Sequence, residues 1–435
     1  VNKKTIRIIT LGCSKNQVDS EKLIGQLPAG RYHLLHDGEG PADVVIINTC
    51  GFIEDAKQES IDTILEVAAA RKAGVVKEVL VTGCLSQRYL DDLRREIPEV
   101  DAWFGVNQPE DIFSYLRESY KPDSPDRLLS TPAHYAYLKI AEGCDRSCSF
   151  CAIPMIRGPF ASVSIDHLVQ EARMLAARGV KELILVAQEL TYYGIDTHGK
   201  PMLAPLLRAL CEVNGISWIR LHYAYPRQFP DEVLEVMASE SKICNYLDIP
   251  LQHINSQILH SMRRGHDREG TLRFIEKIRE NVPGIALRTT LMAGFPGESE
   301  AAFLELMDFV KTVRFDRLGV FTYSPEEGTS AFSLGDPVPQ QVKEERAAAI
   351  MELQSGISLE INRSKIGQHL PVLVDREETQ YFIGRTEFDS PEVDNEVLIE
   401  KAPGLAGGQF VSVLITGATE YELFATPEAP GAVSS

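Results

Sequence analysis

The sequence predicts an α/β chain of three units: an N-terminal doubly wound parallel-sheet domain, a central full or partial β/α barrel, and a small C-terminal antiparallel β-barrel. Three observations carry this expectation. The chain has 435 residues, room for roughly three domains at about 150 residues each. Strand-like and helix-like stretches alternate through the first two units. From Leu370 onward the pattern changes to short β runs punctuated by glycine and proline, the signature of a small barrel. The expected limits are 1–122, a linker at 123–132, 133–365 and 366–435.

The elements follow in order. Thr5–Thr10, Asp43–Asn48 and Glu78–Thr82 are short, β-branched, nearly continuous apolar runs, suited to strands covered on both faces of a parallel sheet. Between them, Ser20 to Leu27 and the spacing of Ile61, Ile64, Leu65 and Ala68 before Gly74 read as helices. Pro122–Pro132 is rich in proline and polar residues and reads as the linker. Six strand candidates come next: Ala136–Ala141, Glu182–Ala187, Trp218–His222, Tyr246–Ile249, Ala286–Met292 and Arg317–Thr322. Helical patterns separate them, including a run capped by Ser164 and stretches at Pro230–Ser239, Gly270–Glu280 and Glu300–Val313. Glu344–Ser364 reads as a long helix leaving this unit, and five β runs end the chain.

Composition narrows the function. Apolar residues make up 44% and charged residues 24%, which is ordinary for a globular chain. No apolar run approaches the length of about eighteen residues that spans a membrane. The opening Val-Asn-Lys-Lys-Thr leads to a strand-like stretch without a signal-peptide core, so a soluble, cytoplasmic protein is expected. The net charge of −18 argues against holding nucleic acid by bulk electrostatics. Half of that excess lies in the last 70 residues, where twelve acids face three bases. Eight cysteines in such a chain point to metal or redox chemistry before disulfides.

The cysteines form two groups. Cys13, Cys50 and Cys84 each lie just past the carboxyl end of an expected strand. In an open parallel sheet those ends share one edge, where ligands bind, and the small residues around each favour a shared site over three buried strand-end residues. Cys144, Cys148 and Cys151 follow the first strand of the central unit at CxxxCxxC spacing. Three thiolates on one loop suit a cubane cluster with one open iron, whereas structural zinc wants four ligands. Cys211 and Cys244 fit core positions.

The CxxxCxxC loop, with Phe150 before its last cysteine, resembles the radical S-adenosylmethionine superfamily. Over essentially the whole chain the sequence is similar to the methylthiotransferases, which add an N-terminal domain with three isolated cysteines and a C-terminal TRAM barrel. Leu11-Gly-Cys13-Ser-Lys-Asn16-Gln-Val-Asp19-Ser-Glu21 resembles the RimO branch, whereas the tRNA-modifying MiaB branch usually has Gln-Met before the asparagine. Cys148 to Pro154 with Arg157-Gly158, Asp248 to His253, Arg288 to Glu298, Tyr323 to Thr329 and Gly384 to Asp394 resemble further blocks of the family. Two departures stand out. Pro-Phe-Ala-Ser-Val-Ser follows Arg157-Gly158, where basic residues are usual, and Gln188-Glu-Leu-Thr191 replaces the usual Gln-Asp-Thr-Thr.

The resemblance implies two 4Fe–4S clusters, one on Cys144, Cys148 and Cys151 and one on Cys13, Cys50 and Cys84, with S-adenosylmethionine as cofactor. It implies methylthiolation of the β-carbon of an aspartate in the twelfth protein of the small ribosomal subunit. Phe150, Gln188, Glu189 and Arg288 are candidates for holding the cofactor, Arg288 having a structural ion pair as its simpler role. Gly294–Gly297 reads as ligand-facing backbone or a plain turn, His222 and His253 as satisfied strand-end histidines, and Tyr192 and Tyr193 as packing. The expected partners are a basic ribosomal protein and a flavodoxin-type electron donor, with no membrane, no tRNA and a monomeric chain. The acidic tail would repel phosphates and attract a basic protein. The alternatives are a MiaB-like tRNA adenosine methylthiotransferase and a non-catalytic iron–sulfur, zinc or RNA-binding protein.

Overall fold

A computed structural model describes residues 3–38, 40–122 and 124–428. The first two residues, Asp123 of the expected linker and the end of the acidic tail from 429 lie outside the described residues.

Lys4–Thr10 (β1), Tyr32–His36 (β2), Ala42–Thr49 (β3), Val76–Gly83 (β4) and Ala102–Trp103 (β5) form one parallel sheet in the order β2-β1-β3-β4-β5. The three expected strands are its centre, where Ile6, Ile8, Val45, Ile46, Ile47, Leu80 and Val81 are all buried. The two unpredicted strands are its edges. β2 is largely half-buried and β5 has only two residues, so neither shows the continuous apolar run of a covered strand. Helix Glu54–Lys72 connects β3 to β4, and Cys84–Glu96 leads from β4 to the edge strand β5.

The middle of the chain contributes Tyr135–Lys139 (β6), the short antiparallel pair Ala141–Glu142 (β7) and Ala161–Ser162 (β8), then Glu182–Val186 (β9), Trp218–Leu221 (β10), Ile243–Asp248 (β11), Ala286–Ala293 (β12) and Arg317–Thr322 (β13). The six long strands are parallel in the order β13-β12-β11-β10-β9-β6. The barrel is therefore partial. Ser164 caps the Ile165–Ala177 helix as expected, accepting a hydrogen bond from the His167 amide at 3.3 Å. Cys211 ends the Leu203–Cys211 helix and Cys244 lies within β11, both buried in apolar packing. Tyr193 is buried, Tyr192 packs on Phe160, and Gly294 is a positive-φ turn pressed against Lys343.

After the long Gln340–Ser364 helix, His369–Glu377 (β14), Tyr381–Arg385 (β15), Glu396–Glu400 (β16), Phe410–Ala418 (β17) and Glu422–Pro427 (β18) close a barrel. The expected antiparallel order needs one correction, because β16 and β18 pair in parallel. β17, between them in sequence, pairs with β14 and β18, leaving β18 to seal against β16.

This closed barrel plugs the floor of the open one. Its 386–394 loop enters where the strands β6, β9 and β13 begin. Arg317, first in β13, donates to Asp389 at 2.8 Å, and Arg288 of β12 lies 3.3 Å from Asp394. Tyr135 donates to Glu392, Tyr246 to Asp394, and Ser390 meets His222 at 2.8 Å. Arg385 pairs with Glu182 of β9 and with Asp375, and Asp375 also meets His134. Asp375, Glu387, Asp389, Glu392 and Asp394 therefore face the central domain, Glu387 accepting from the Asn245 amide. Five of the tail's twelve acids are thus spent inside the molecule and not available to attract a basic partner. Buried arginines beneath an incomplete barrel need carboxylates, and this loop supplies them.

The stretch expected as a linker is anchored to both domains it joins. Arg127 is buried and pairs with Glu21 of the first domain and Glu171 of the second.

Candidate functional site

Each cysteine of the first triad is placed by a strand end. Cys13 follows β1 and precedes the Ser14–Gly25 helix, Cys50 follows β3, and Cys84 opens the helix after β4. Close approach is built into the backbone. Gly12 has φ +88°, and a Cβ there would come within 2.8 Å of the Cys50 sulfur, so only glycine fits. Gly83 has φ +99° and packs on Asn48 and Thr49.

The second triad sits on the loop between β7 and β8. The Cys151 amide donates to the Cys148 carbonyl at 3.2 Å, turning the loop tightly, and the Cys144 amide donates to Gly158 at 3.2 Å. All six thiols line one cavity of about 440 Å³ at the seam of the first two domains. Phe150, Gln188 and Glu189 line it too. Arg288 does not: it is held by Asp248 at 3.0 Å and by Asp394. His253 is buried beside Glu298, and His222 belongs to the floor network.

Cationic groups surround the sulfurs. Arg157 donates to the Cys84 sulfur at 3.3 Å while paired with Asp19 and Glu142. Arg264 donates to the Cys148 sulfur at 3.4 Å. Burial pushes Cys50 and Cys144 up to about 11 and Cys151 up to about 12. At Cys13 burial is outweighed by Lys15, neighbouring amides and Arg157, so its thiol lies below the usual value. Mostly neutral, buried thiols ringed by arginine suit a cationic cluster that would stabilise their thiolates. Among the described residues no three His, Cys, Asp or Glu side chains stand close enough to share one metal ion, and a cubane does not require it, since each thiolate takes its own iron.

On the barrel side, Glu189 binds Arg146 at 2.8 Å and accepts from the Thr191 amide. Gln188 donates to Glu142 at 2.8 Å, and its buried amide oxygen has no partner. Tyr223 and Gln252 line the cavity with φ of +63° and +73°, strain of the kind kept at functional positions. Sequence reasoning singled out none of Lys15, Arg146, Tyr223, Tyr225, Gln252 and Arg264. For Lys15 and Gln252 the only signal was membership of a motif.

Residues 5–105 match the Uncharacterized protein family UPF0004, residues 138–310 the Radical SAM superfamily, and residues 366–427 the TRAM domain. Among solved structures, the radical S-adenosylmethionine methyltransferase TsrM from Kitasatospora setae, with cobalamin and a 4Fe-4S cluster bound, has a TM-score of 0.55 at 12% identity, covering 94% of this chain and 84% of that one. The cobalamin-dependent S-adenosylmethionine radical enzyme OxsB has a TM-score of 0.52 at 13% identity, covering 80% and 56%. These likenesses show the fold. The chain is 54% identical to the ribosomal protein uS12 methylthiotransferase RimO of Christiangramia forsetii over 98% of its own length and 95% of the relative's. It is 55% identical to the protein of the same name from Cytophaga hutchinsonii, over 97% and 98%. Half the residues matched end to end, on a fold that brings both cysteine triads to one cavity, make this chain a member of the RimO family of radical S-adenosylmethionine methylthiotransferases.

Proposed function

We propose that this enzyme methylthiolates the β-carbon of an aspartate in ribosomal protein uS12, using two 4Fe–4S clusters and S-adenosylmethionine. The observation that carries the reading is the single cavity shared by both triads. Cys144, Cys148 and Cys151 would hold one cluster, and Cys13, Cys50 and Cys84 the other. When bound, these groups supply reductive cleavage, hydrogen abstraction, sulfur and the methyl group.

The chain's own part is binding, orientation and exclusion of water. Arg157 and Arg264 donate to the Cys84 and Cys148 sulfurs, and at Cys84 this charge opposes the burial that raises the thiol's pKa. Glu189 fixes the Arg146 guanidinium over the Tyr225 ring. The free acceptor of Gln188 offers a hydrogen bond to an amino group, the role expected of a cofactor contact. Phe150, Phe52, Ile153 and Phe321 line the cavity with apolar surface, which keeps water from the reacting atoms. Arg288 is left out of the cofactor site by its two carboxylates.

We take the chain as a monomer working in the cytoplasm with a flavodoxin-type electron donor, on a basic ribosomal protein rather than tRNA. No helix among the described residues is long and apolar enough to cross a membrane. Of the tail's twelve acids, Glu377, Glu378 and Glu400, outside the floor loop, are exposed. They would hold a basic region of the substrate remote from the reacting carbon.

The test is a competition under anaerobic, reducing conditions. Reconstituted enzyme carrying about eight irons is offered a uS12 loop peptide and bulk tRNA together, with S-adenosylmethionine and sulfide. The expected result is one methylthio group on the peptide's aspartate and unchanged tRNA by mass spectrometry. Modified tRNA alone would reverse the substrate assignment, and about four irons would remove the N-terminal cluster.

A further inference from the structure

Four cations line the shared cavity: Lys15, Arg146, Arg157 and Arg264. Three are already engaged. Arg146 is neutralised by Glu189, Arg157 by Asp19 and Glu142, and Arg264 rests on the Cys148 sulfur and the Pro250 carbonyl. Lys15 differs. Its ammonium stands 3.4 Å from the centre of the Tyr223 ring, and no carboxylate among the described residues pairs with it. Its near neighbours are the Tyr223 side chain and the Cys13 sulfur, so the ammonium is partly desolvated against the ring with no carboxylate to neutralise it.

Its position is as telling as its lack of a partner. Lys15 comes from the first domain, two residues after Cys13, and reaches Tyr223 at the end of β10 in the second. It therefore stands at the seam between the triads. A carbon that loses hydrogen on one side of the cavity and gains sulfur on the other must lie at that seam. The side-chain carboxylate of an aspartate is bonded directly to its β-carbon, so it lies there too.

We propose that Lys15 recognises the carboxylate of the acceptor aspartate and thereby selects an acidic residue over its amide. The inference rests on the aspartate reading above. Lys15 is a specificity residue: it fixes the group beside the reacting carbon through a charge-assisted hydrogen bond that a neutral amide does not match.

The test measures binding without turnover. Fluorescently labelled uS12 loop peptides carrying aspartate or asparagine at the acceptor position are titrated anaerobically, without reductant, into cluster-loaded enzyme with S-adenosylmethionine. Wild type should prefer aspartate by about tenfold or more. Lys15→Met, with iron content equal to wild type, should bind both peptides alike, near the wild-type asparagine value. Lys15→Arg should keep most of the preference, which separates a lost charge from a disturbed fold. An unchanged aspartate preference in Lys15→Met overturns the proposal. So does an unchanged preference with weakened S-adenosylmethionine binding, which would assign Lys15 to the cofactor's carboxylate. Wild type that binds tRNA and neither peptide overturns the ribosomal-protein reading itself, and this proposal with it.

Discussion

His222 follows the end of β10, buried, with Ser390 of the plugging loop on its Nε2 and the Arg288 and Arg220 guanidiniums nearby. Burial first, and those cations second, hold its pKa well below the usual value, so it is neutral at physiological pH. An unfolded histidine takes a proton near pH 6.5. Below that point the unfolded chain binds a proton that the folded one refuses, and stability falls as pH drops. Melting temperatures taken from pH 8 to pH 5 should decline below about 6.5, and His222→Gln should show a shallower decline over the same interval. An identical slope in the variant would assign the acid sensitivity elsewhere. Residues of this kind were only half legible. Strand-end logic found Gln188 and Glu189, because an element's end can be read from sequence. It missed Arg146 and Arg264, whose importance comes from meeting Glu189 and Cys148 across a fold that no local pattern reveals.

At the scale of elements, sequence periodicity located the long covered strands to within a few residues, because burial on both faces writes a continuous apolar run. β2 and β5 escaped because an edge strand has no such obligation. The 386–394 loop also escaped. Its acids looked like surface residues in a polar, turn-rich stretch, and their buried arginines lie dozens of residues upstream. The pair of Arg317 and Asp389 shows the cost of separating such partners. Arg317→Ala would leave Asp389 buried and uncompensated, a loss of about 3–5 kcal/mol, read as a lowered thermal midpoint. Arg317→Met combined with Asp389→Leu should recover most of it, since apolar replacement of both members removes the unpaired charge. A double variant no better than the single one would mean that the loop is held chiefly by its other contacts.

For the molecule as a whole, three units were legible from composition, but their mutual dependence was not. Arg127 pins the stretch between the first two domains to Glu21 and Glu171, and Arg88 of the first domain reaches Glu326 of the second at 2.7 Å. The closed barrel completes the floor of an open one whose six strands leave its first and last unpaired with each other. That plug sorts the charge of the acidic tail into two populations with different responses to ionic strength. Mobile ions screen exposed charges over about 10 Å at 0.1 M salt and act weakly on buried ones. Rising salt should therefore weaken capture of a basic uS12 fragment, measured by its dissociation constant, while leaving the thermal midpoint nearly unchanged. A midpoint that fell in step with affinity would place the floor contacts in water. The same barrel is thus a salt-tolerant cornerstone on its inner face, and the proposed substrate contact would make its outer face a salt-tunable lure.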